Sequence, residues 1–170
     1  MARVDKLTAA RRQFATAVDL WFADGDPVST HTLVAASGRV FSDLLRHKGL
    51  TDHLVNNAYI RPDKRREWIA AIRRPSNFFK HADDDPGDVH EFDESINALH
   101  MLHSIVALEQ LGCTLTALEL AFLNRFELEH PDVLVDGAVR RAITTSEFEL
   151  LRNCSRAEFL DSFLKARGLR

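Results

Sequence analysis

Apolar residues recur at a helical spacing along almost the whole chain, and this periodicity is the feature that most limits its fold. The spacing runs from Leu7 through Phe14 to Phe22, in steps of seven or eight positions that fall on one side of a helix. Alternating β-branched residues, which would indicate strands, are nearly absent. We therefore predict an all-α fold.

Proline and glycine mark the ends of the first two predicted helices. A helix of about residues 6 to 24 ends before Pro27, which stands at the preferred first position of the next helix. That second helix, about residues 27 to 48, ends at Gly49, the residue type preferred just after a helix C-terminus. His31 lies on the apolar stripe of the second helix, so we expect it to face the core.

The middle of the chain alternates a basic helix, an acidic turn and an apolar helix. The basic helix covers about residues 63 to 74, and we expect Pro75 to stop or kink it before a short helix restarts. The aspartates between residues 83 and 88 have the composition of a solvated turn. The helix at about residues 94 to 111 is apolar nearly all round, which is typical of the centre of a bundle.

The last part of the chain continues the helical pattern. Thr114 or Thr116 caps a helix that stops at Pro131, and one or two shorter helices follow. We assign residues 1–131 to the main bundle and residues 132–170 to helices packed on it, within a single domain. The predicted architecture is an irregular bundle of five to seven helices.

Composition limits the partners and the compartment. The chain has 22 basic and 25 acidic residues, a formal charge of −3, so a polyanion would have to bind at a local patch. The N-terminus lacks the apolar run of a signal peptide, and no apolar segment is long enough to span a membrane. Cys113 and Cys154 have neither a metal-binding spacing nor the number needed for a disulfide framework. These features predict a cytoplasmic protein without membrane association or a cofactor.

The segment around Pro75 has the most unusual chemistry of the chain. Residues 61–74 carry six cations and two anions, whereas residues 83–94 carry seven carboxylates and neither lysine nor arginine. Between these oppositely charged flanks, Arg74 is separated from His81 by six residues. Cations, an amide and a histidine so close together are suited to binding a phosphate and moving a proton.

The spacing of Arg74 and His81 resembles the arginine-to-histidine motif of the HEPN family of small all-α domains. That resemblance implies a metal-independent endoribonuclease assembled at a homodimer interface, where two copies of the motif face one cleft. It implies that His81, Arg74 and Asn77 form the catalytic group, and that Lys80 and Arg73 help to bind the RNA. An imidazole can take the proton of a ribose 2′-hydroxyl, and a guanidinium can bind the phosphate bidentately.

The same residues also have a structural explanation. Arg74 and His81 can form salt bridges or caps with Asp83, Asp84 or Asp85 and take no part in chemistry. The chain is then a non-catalytic dimeric interaction or scaffold protein that pairs through a helix face with a second copy or another protein. Whether the chain is an enzyme stays open at this point.

Histidines provide a third hypothesis. His100 and His103 are three positions apart, hence on one helical face, and His31 points inward from another helix. Three imidazoles on neighbouring helices can bind Zn²⁺ or Fe²⁺. The sequence lacks the paired Glu-x-x-His pattern of dimetal bundles, and hydrogen-bonded interior histidines explain the spacing equally well. We therefore predict no metal, with these three histidines as the ligands if one is bound.

Overall fold

Seven α-helices form the part of the chain that the structure, a computed structural model, describes: residues 3–52, 62–83, 86–131 and 144–169. These residues contain no strand, which confirms the all-α prediction. None of the described helices is long and apolar enough to cross a membrane. In chain order the helices are α1 (Lys6–Phe22), α2 (Pro27–His47), α3 (Arg65–Phe78), α4 (Ile96–Gln110), α5 (Ala117–Glu129), α6 (Thr145–Asn153) and α7 (Arg156–Ala166).

The core lies between the α1–α2 hairpin and α4. Phe14 of α1 meets Phe41 of α2 edge-on, with ring centroids 6.2 Å apart, and both side chains are fully buried. From α4, the core receives Met101, Ile105 and Leu108. Each large apolar side chain buried in this way contributes about 1.5–3 kcal/mol to folding. This packing makes α2 and α4 neighbours, which matters for the site described below.

The ends of α1 and α2 follow the signals in the sequence. Asp26 caps α2 by accepting a hydrogen bond from the backbone N–H of Ser29 at 2.7 Å, and Pro27 occupies the first turn. Gly49 follows α2 with a φ of +70°, a conformation that glycine adopts without strain. The predicted bounds of both helices are therefore confirmed to within two residues.

Helices α5 to α7 close the opposite side of the bundle. Each begins with a reciprocal capping box, formed by Thr116 with Glu119, Thr144 with Glu147, and Ser155 with Glu158. Phe148 of α6 and Phe159 of α7 are buried in the same core as α1 and α5. Residues 144–169 of the predicted C-terminal helices thus pack on the core, while residues 132–143 lie outside the described part.

Helix α3 corrects one prediction. The chain neither stops at Pro75 nor restarts a separate helix after it, because α3 runs on to Phe78 with the proline inside its last turn. Helical bonding continues past the proline, since the N–H of Phe79 donates to the carbonyl of Pro75 at 3.0 Å. The pyrrolidine ring is buried, and this packing offsets the hydrogen bond that a proline cannot donate.

Candidate functional site

Helices α2, α3 and α4 enclose a pocket of about 330 Å³, which we call the basic pocket. Its volume lies at the lower end of the range of small-molecule sites, about 300–1,000 Å³. The pocket is lined by side chains from all three helices and from the residues just after α2 and α3. The polar ones are Arg39, Ser42, Arg46, Asp52, Arg73, Ser76, Asn77, Lys80, His100 and His103.

Among the described residues, the lining carries four cations and a single carboxylate, which gives these residues a formal charge of +3 when the histidines are neutral. Arg39 and Arg46 both pair with Asp43, at 3.3 and 2.9 Å, on the exposed side of α2. Arg73 and Lys80 have no ion pair or side-chain hydrogen bond with any residue that the structure describes. The pocket therefore presents positive charge that this part of the chain leaves unneutralised.

Two histidines reach the pocket from α4, as their shared helical face predicts. His100 is only 8 % exposed, yet its side chain makes no hydrogen bond with any described residue. Burial, with smaller contributions from the nearby His31 and His103, lowers the pKa of His100 to about 4, so the ring is neutral near pH ~7. His103 places Nε2 at 3.4 Å from the Oδ1 atom of Asp52.

His31 packs behind His100 and is fully buried, which confirms its predicted inward position. The two rings meet edge-on, with centroids 5.2 Å apart. Asn97 donates from Nδ2 to the carbonyl of Pro27, so its Oδ1 accepts from Nδ1 of His31 at 2.8 Å. This assigns the proton to Nδ1 and leaves Nε2 an acceptor without a partner among the described residues. Burial also lowers the pKa of His31.

Phenylalanines attach the C-terminal end of α3 to this histidine pair. Phe79 contacts the His31 ring edge-on at 5.8 Å between centroids, and Phe92 does so at 5.1 Å. Phe78 packs against His90 at 5.3 Å. Phe79 thus attaches the end of α3 to His31 of α2, while Phe78 packs on Phe79 and on His90, which precedes α4.

The structure divides the residues that the sequence analysis grouped around Arg74. Arg73, Asn77 and Lys80 line the basic pocket, because their spacing of four and three positions keeps them on one side of α3 and of the turn that follows it. Arg74 and His81 lie one position further along, are exposed and do not line the pocket. The predicted substrate-binding residues therefore share a cavity that the predicted catalytic arginine and histidine do not enter.

The structural explanation pairs Arg74 and His81 with the aspartates at residues 83–85. Neither side chain makes an ion pair or hydrogen bond with Asp83 or with any other described residue. Asp84 and Asp85, the other proposed partners, lie outside the described residues.

The three histidines proposed as metal ligands do not form one cluster. His31 and His100 are adjacent, but His103 turns toward Asp52. Within residues 3–52, 62–83, 86–131 and 144–169, no three histidine, cysteine, aspartate or glutamate side chains are arranged to hold a metal ion. The pocket instead combines His100 and His103 with the cations of α3, two groups that the sequence analysis treated as separate hypotheses.

The sequence analysis missed the contribution of α2 to the pocket. Arg39, Ser42 and Arg46 are spaced by three and four positions, so they form one stripe along the helix. That stripe runs beside the buried stripe of Gly38 and Phe41. A polar stripe with two arginines at the edge of a core face was the signal that could have identified them.

A second group of charged residues lies between α5 and α7, and we call it the charged cluster. Arg125 donates to Glu129 at 2.8 Å and to the carbonyl of Leu151 at 2.8 Å. Arg156 binds both carboxylate oxygens of Glu129 at 3.1 Å and stacks on Trp21 at 3.9 Å. Burial alone would raise the pKa of Glu129, but hydrogen bonds from the two arginines outweigh it and lower the pKa.

The charged cluster borders a second pocket of about 450 Å³, which we call the acidic pocket. Its carboxylates are Asp24, Asp93, Glu94 and Glu129. Three of the four have partners: Asp24 and Glu129 pair with Arg156, and Asp93 accepts from the backbone N–H of Ser95 at 3.0 Å. The acidic pocket is the larger of the two, but three of its four carboxylates already have partners within the fold.

Comparison of the chain with protein-family models, with curated proteins and with solved structures finds no match. The function has therefore to be inferred from the chemistry of the site. The basic pocket is the stronger candidate for a ligand site, because its cations and its mostly buried histidine can form hydrogen bonds with a ligand.

Proposed function

We propose that this protein binds a phosphate-bearing ligand in the basic pocket, and that single-stranded RNA is the natural form of that ligand. The observation that carries the proposal is the convergence of four cations on one cavity to which the described residues contribute a single carboxylate. Arg73 and Lys80 support it most directly, since no described residue neutralises them. A cavity lined by one sign of charge raises the local concentration of anions, and arginine binds phosphate oxygens bidentately.

RNA is favoured over other phosphate carriers by the resemblance of Arg74 and His81 to the HEPN motif. These two residues directly follow Arg73 and Lys80 in the chain and are exposed beside the pocket. Metal-independent cleavage of the bound strand by Arg74 and His81, in a homodimer as the resemblance implies, is the second candidate function. Its specific support is that both side chains are exposed and unpaired among the described residues.

Two neighbouring arginines provide a matched test of the binding site. Arg73→Ala and Arg74→Ala remove the same charge from adjacent positions of α3, but only Arg73 lines the pocket. Binding of a short fluorescent single-stranded RNA is measured by anisotropy at low salt. We expect Arg73→Ala to weaken binding about tenfold, the loss of one charge-assisted hydrogen bond, and Arg74→Ala to weaken it by less than about twofold.

The salt dependence of the same measurement reports on the number of phosphate contacts. Each phosphate contact to a single strand contributes about −0.7 to the slope of log K against log salt, so Arg73→Ala should make the slope shallower by about that amount. Equal losses in both variants would indicate a diffuse basic surface instead of the pocket. An absence of RNA binding by the wild-type protein at low salt would reject the proposal and favour a dimeric interaction protein.

Cleavage requires a separate experiment. The RNA is incubated with the protein in the presence of a chelator, and the products of the wild type and of His81→Ala are compared by gel. We expect products that depend on His81 and on Arg74, together with a dimer in sedimentation analysis. Equal product from the wild type and His81→Ala would end the ribonuclease hypothesis without affecting the binding proposal.

A further inference from the structure

The inner wall of the basic pocket differs in chemistry from its mouth. The four cations are exposed to solvent, whereas His100 and Ser42 are each only 8 % exposed. Neither His100 nor Ser42 makes a side-chain hydrogen bond with any described residue. Positive charge is therefore concentrated at the entrance, and the uncharged hydrogen-bonding groups His100 and Ser42 lie deeper inside, where the buried carboxylate of Asp52 faces His103.

The polar atoms of His100 and Ser42 are not sealed in the core but open onto the pocket. A neutral imidazole has one donor and one acceptor nitrogen, and a hydroxyl can donate and accept. His100 and Ser42 come from different helices, α4 and α2, and line the same cavity. Their hydrogen-bonding capacity is therefore available to a ligand that enters the pocket.

The surroundings of His100 keep its ring neutral and fixed. His31 packs edge-on against it, and His31 is itself held by its hydrogen bond to Asn97. A neutral imidazole suits a hydroxyl or the edge of a nucleobase, whereas an imidazolium would suit another phosphate oxygen. The wall behind the cations is thus matched to an uncharged part of a ligand.

We infer that the basic pocket recognises a ribose phosphate unit, with the phosphate held by Arg73 and Lys80 at the mouth and a sugar hydroxyl or base edge bound by His100 and Ser42 inside. This inference rests on the proposed function and deepens it. The cavity of about 330 Å³ holds one such unit, not an extended stretch of strand. The unit is either a free mononucleotide or one nucleotide of an RNA chain.

Three probes of increasing size separate the two parts of the site. Inorganic phosphate, ribose 5-phosphate and 5′-AMP are titrated into the full-length protein by calorimetry. We expect the wild type to bind ribose 5-phosphate and 5′-AMP at least about tenfold more tightly than inorganic phosphate, because only they reach the inner wall. A wild type that binds all three with equal affinity would overturn the inference.

Substitutions of His100 test which residue provides this preference. His100→Leu keeps an apolar side chain of similar bulk but no hydrogen-bonding atom, and it should reduce the ratio of the ribose 5-phosphate and phosphate affinities to about one. His100→Gln should retain part of the preference, and Ser42→Ala should lower it about threefold. A preference that is unchanged in both His100→Leu and Ser42→Ala would overturn the inference.

Controls distinguish this inference from the proposed function and from misfolding. Phosphate binding that is still detectable in His100→Leu shows that the pocket is intact, whereas Arg73→Ala should weaken all three probes alike. If phosphate and RNA bind without a preference for ribose, only this inference fails; if neither binds, the proposed function fails with it.

A competition experiment identifies the source of the ribose phosphate unit. Displacement of RNA by 5′-AMP assigns the unit to an RNA strand, and tight 5′-AMP binding without displacement assigns it to a free nucleotide; both results support the inference.

Discussion

The charged cluster and the basic pocket contain the same kinds of side chain, but only the first neutralises itself. In the cluster, Arg125 and Arg156 share Glu129. Arg125 also donates to the carbonyl of Leu151, and Arg156 stacks on the ring of Trp21. In the pocket, Arg73 and Lys80 find no counterpart among the described residues. The first arrangement ties α5, α6 and α7 together, and the second leaves interactions available to something else.

This difference shows why cavity size alone does not identify a site. The acidic pocket, at about 450 Å³, exceeds the basic pocket at about 330 Å³, yet most of its charges are used within the fold. Cations and a mostly buried histidine that have no partner among the described residues add little to stability, and proteins retain such features mainly where function requires them. The four predictions that follow test whether the cluster is structural and the pocket is not.

The largest effect is expected from breaking the charged cluster. Arg125→Ala removes a buried guanidinium and leaves Glu129 and the carbonyl of Leu151 with fewer partners. We expect the free energy of unfolding to fall by about 3–5 kcal/mol, measured by urea denaturation. The matched control is Arg46→Ala in the basic pocket, whose exposed pair with Asp43 should contribute less than about 1 kcal/mol. Similar losses in the two variants would remove the contrast between the regions.

The second largest effect is expected from acid, which should lower the free energy of unfolding by protonating His100 and His31. The pKa of His100 is about 4 in the fold and returns to about 6.5 when the chain unfolds, and the pKa of His31 is also lowered. Between those values the unfolded chain binds more protons, so stability is full above pH ~6.5 and is lost as the pH falls toward ~4. For His100 alone the loss amounts to about 3 kcal/mol.

Urea denaturation across this pH range provides the check. The His100→Leu variant should show a flatter decline between pH ~6.5 and ~4.5, because it has lost the group whose protonation opposes folding. A decline with the same slope as the wild type would show that His100 is not responsible. Carboxylates with lowered pKa values, such as Glu129, lose their contribution only at lower pH, as they become protonated.

Filling the basic pocket should produce a smaller stabilisation. A ligand present at tenfold excess over its Kd raises the free energy of unfolding by about 1.4 kcal/mol. We expect 5′-AMP to raise the Tm of the wild type, and the same concentration to raise that of Arg73→Ala less. An equal shift in both proteins would place the ligand outside the basic pocket.

The smallest effect has the opposite sign to the first. Arg73→Gln removes a cation that repels Lys80 and the arginines of α2, so we expect a gain of about 0.3 kcal/mol at low salt. The gain should vanish at about 1 M salt, where the Debye length falls to about 3 Å. A loss of stability at low salt would indicate that Arg73 has a structural partner.

Local signals in the sequence were sufficient for most of the fold. Pro27 marks the start of α2, Gly49 marks its end, and Thr116 caps the N-terminus of α5. Each of these residue types acts on the backbone within one turn of itself, so its effect can be predicted from the sequence. The predicted break at Pro75 was wrong because it rested on the local effect of proline alone. Its effect on local hydrogen bonding is visible in the sequence, but the burial of its ring is not.

Part of the site was predicted, because some of its residues lie close together in the sequence. Arg73, Asn77 and Lys80 were identified from their position in an unusual segment, and all three line the pocket. Arg39 and Arg46 were not, since helical periodicity tells which residues share a face but not which neighbouring helix covers that face. The meeting of α2, α3 and α4 depends on core packing, which no single segment encodes.

The C-terminal end of α3 is packed more closely on the bundle than its first half. Pro75 and Ser76 near its end are buried and Phe79 packs on His31, whereas Trp68 in its first half is 37 % exposed. Segments with few buried apolar contacts open at a lower free energy than the whole protein. Amide hydrogens of residues 67–73 should therefore exchange with deuterium sooner than those of residues 101–108, and a bound ligand should slow that exchange. One wall of the pocket can then detach and close again while the core stays folded.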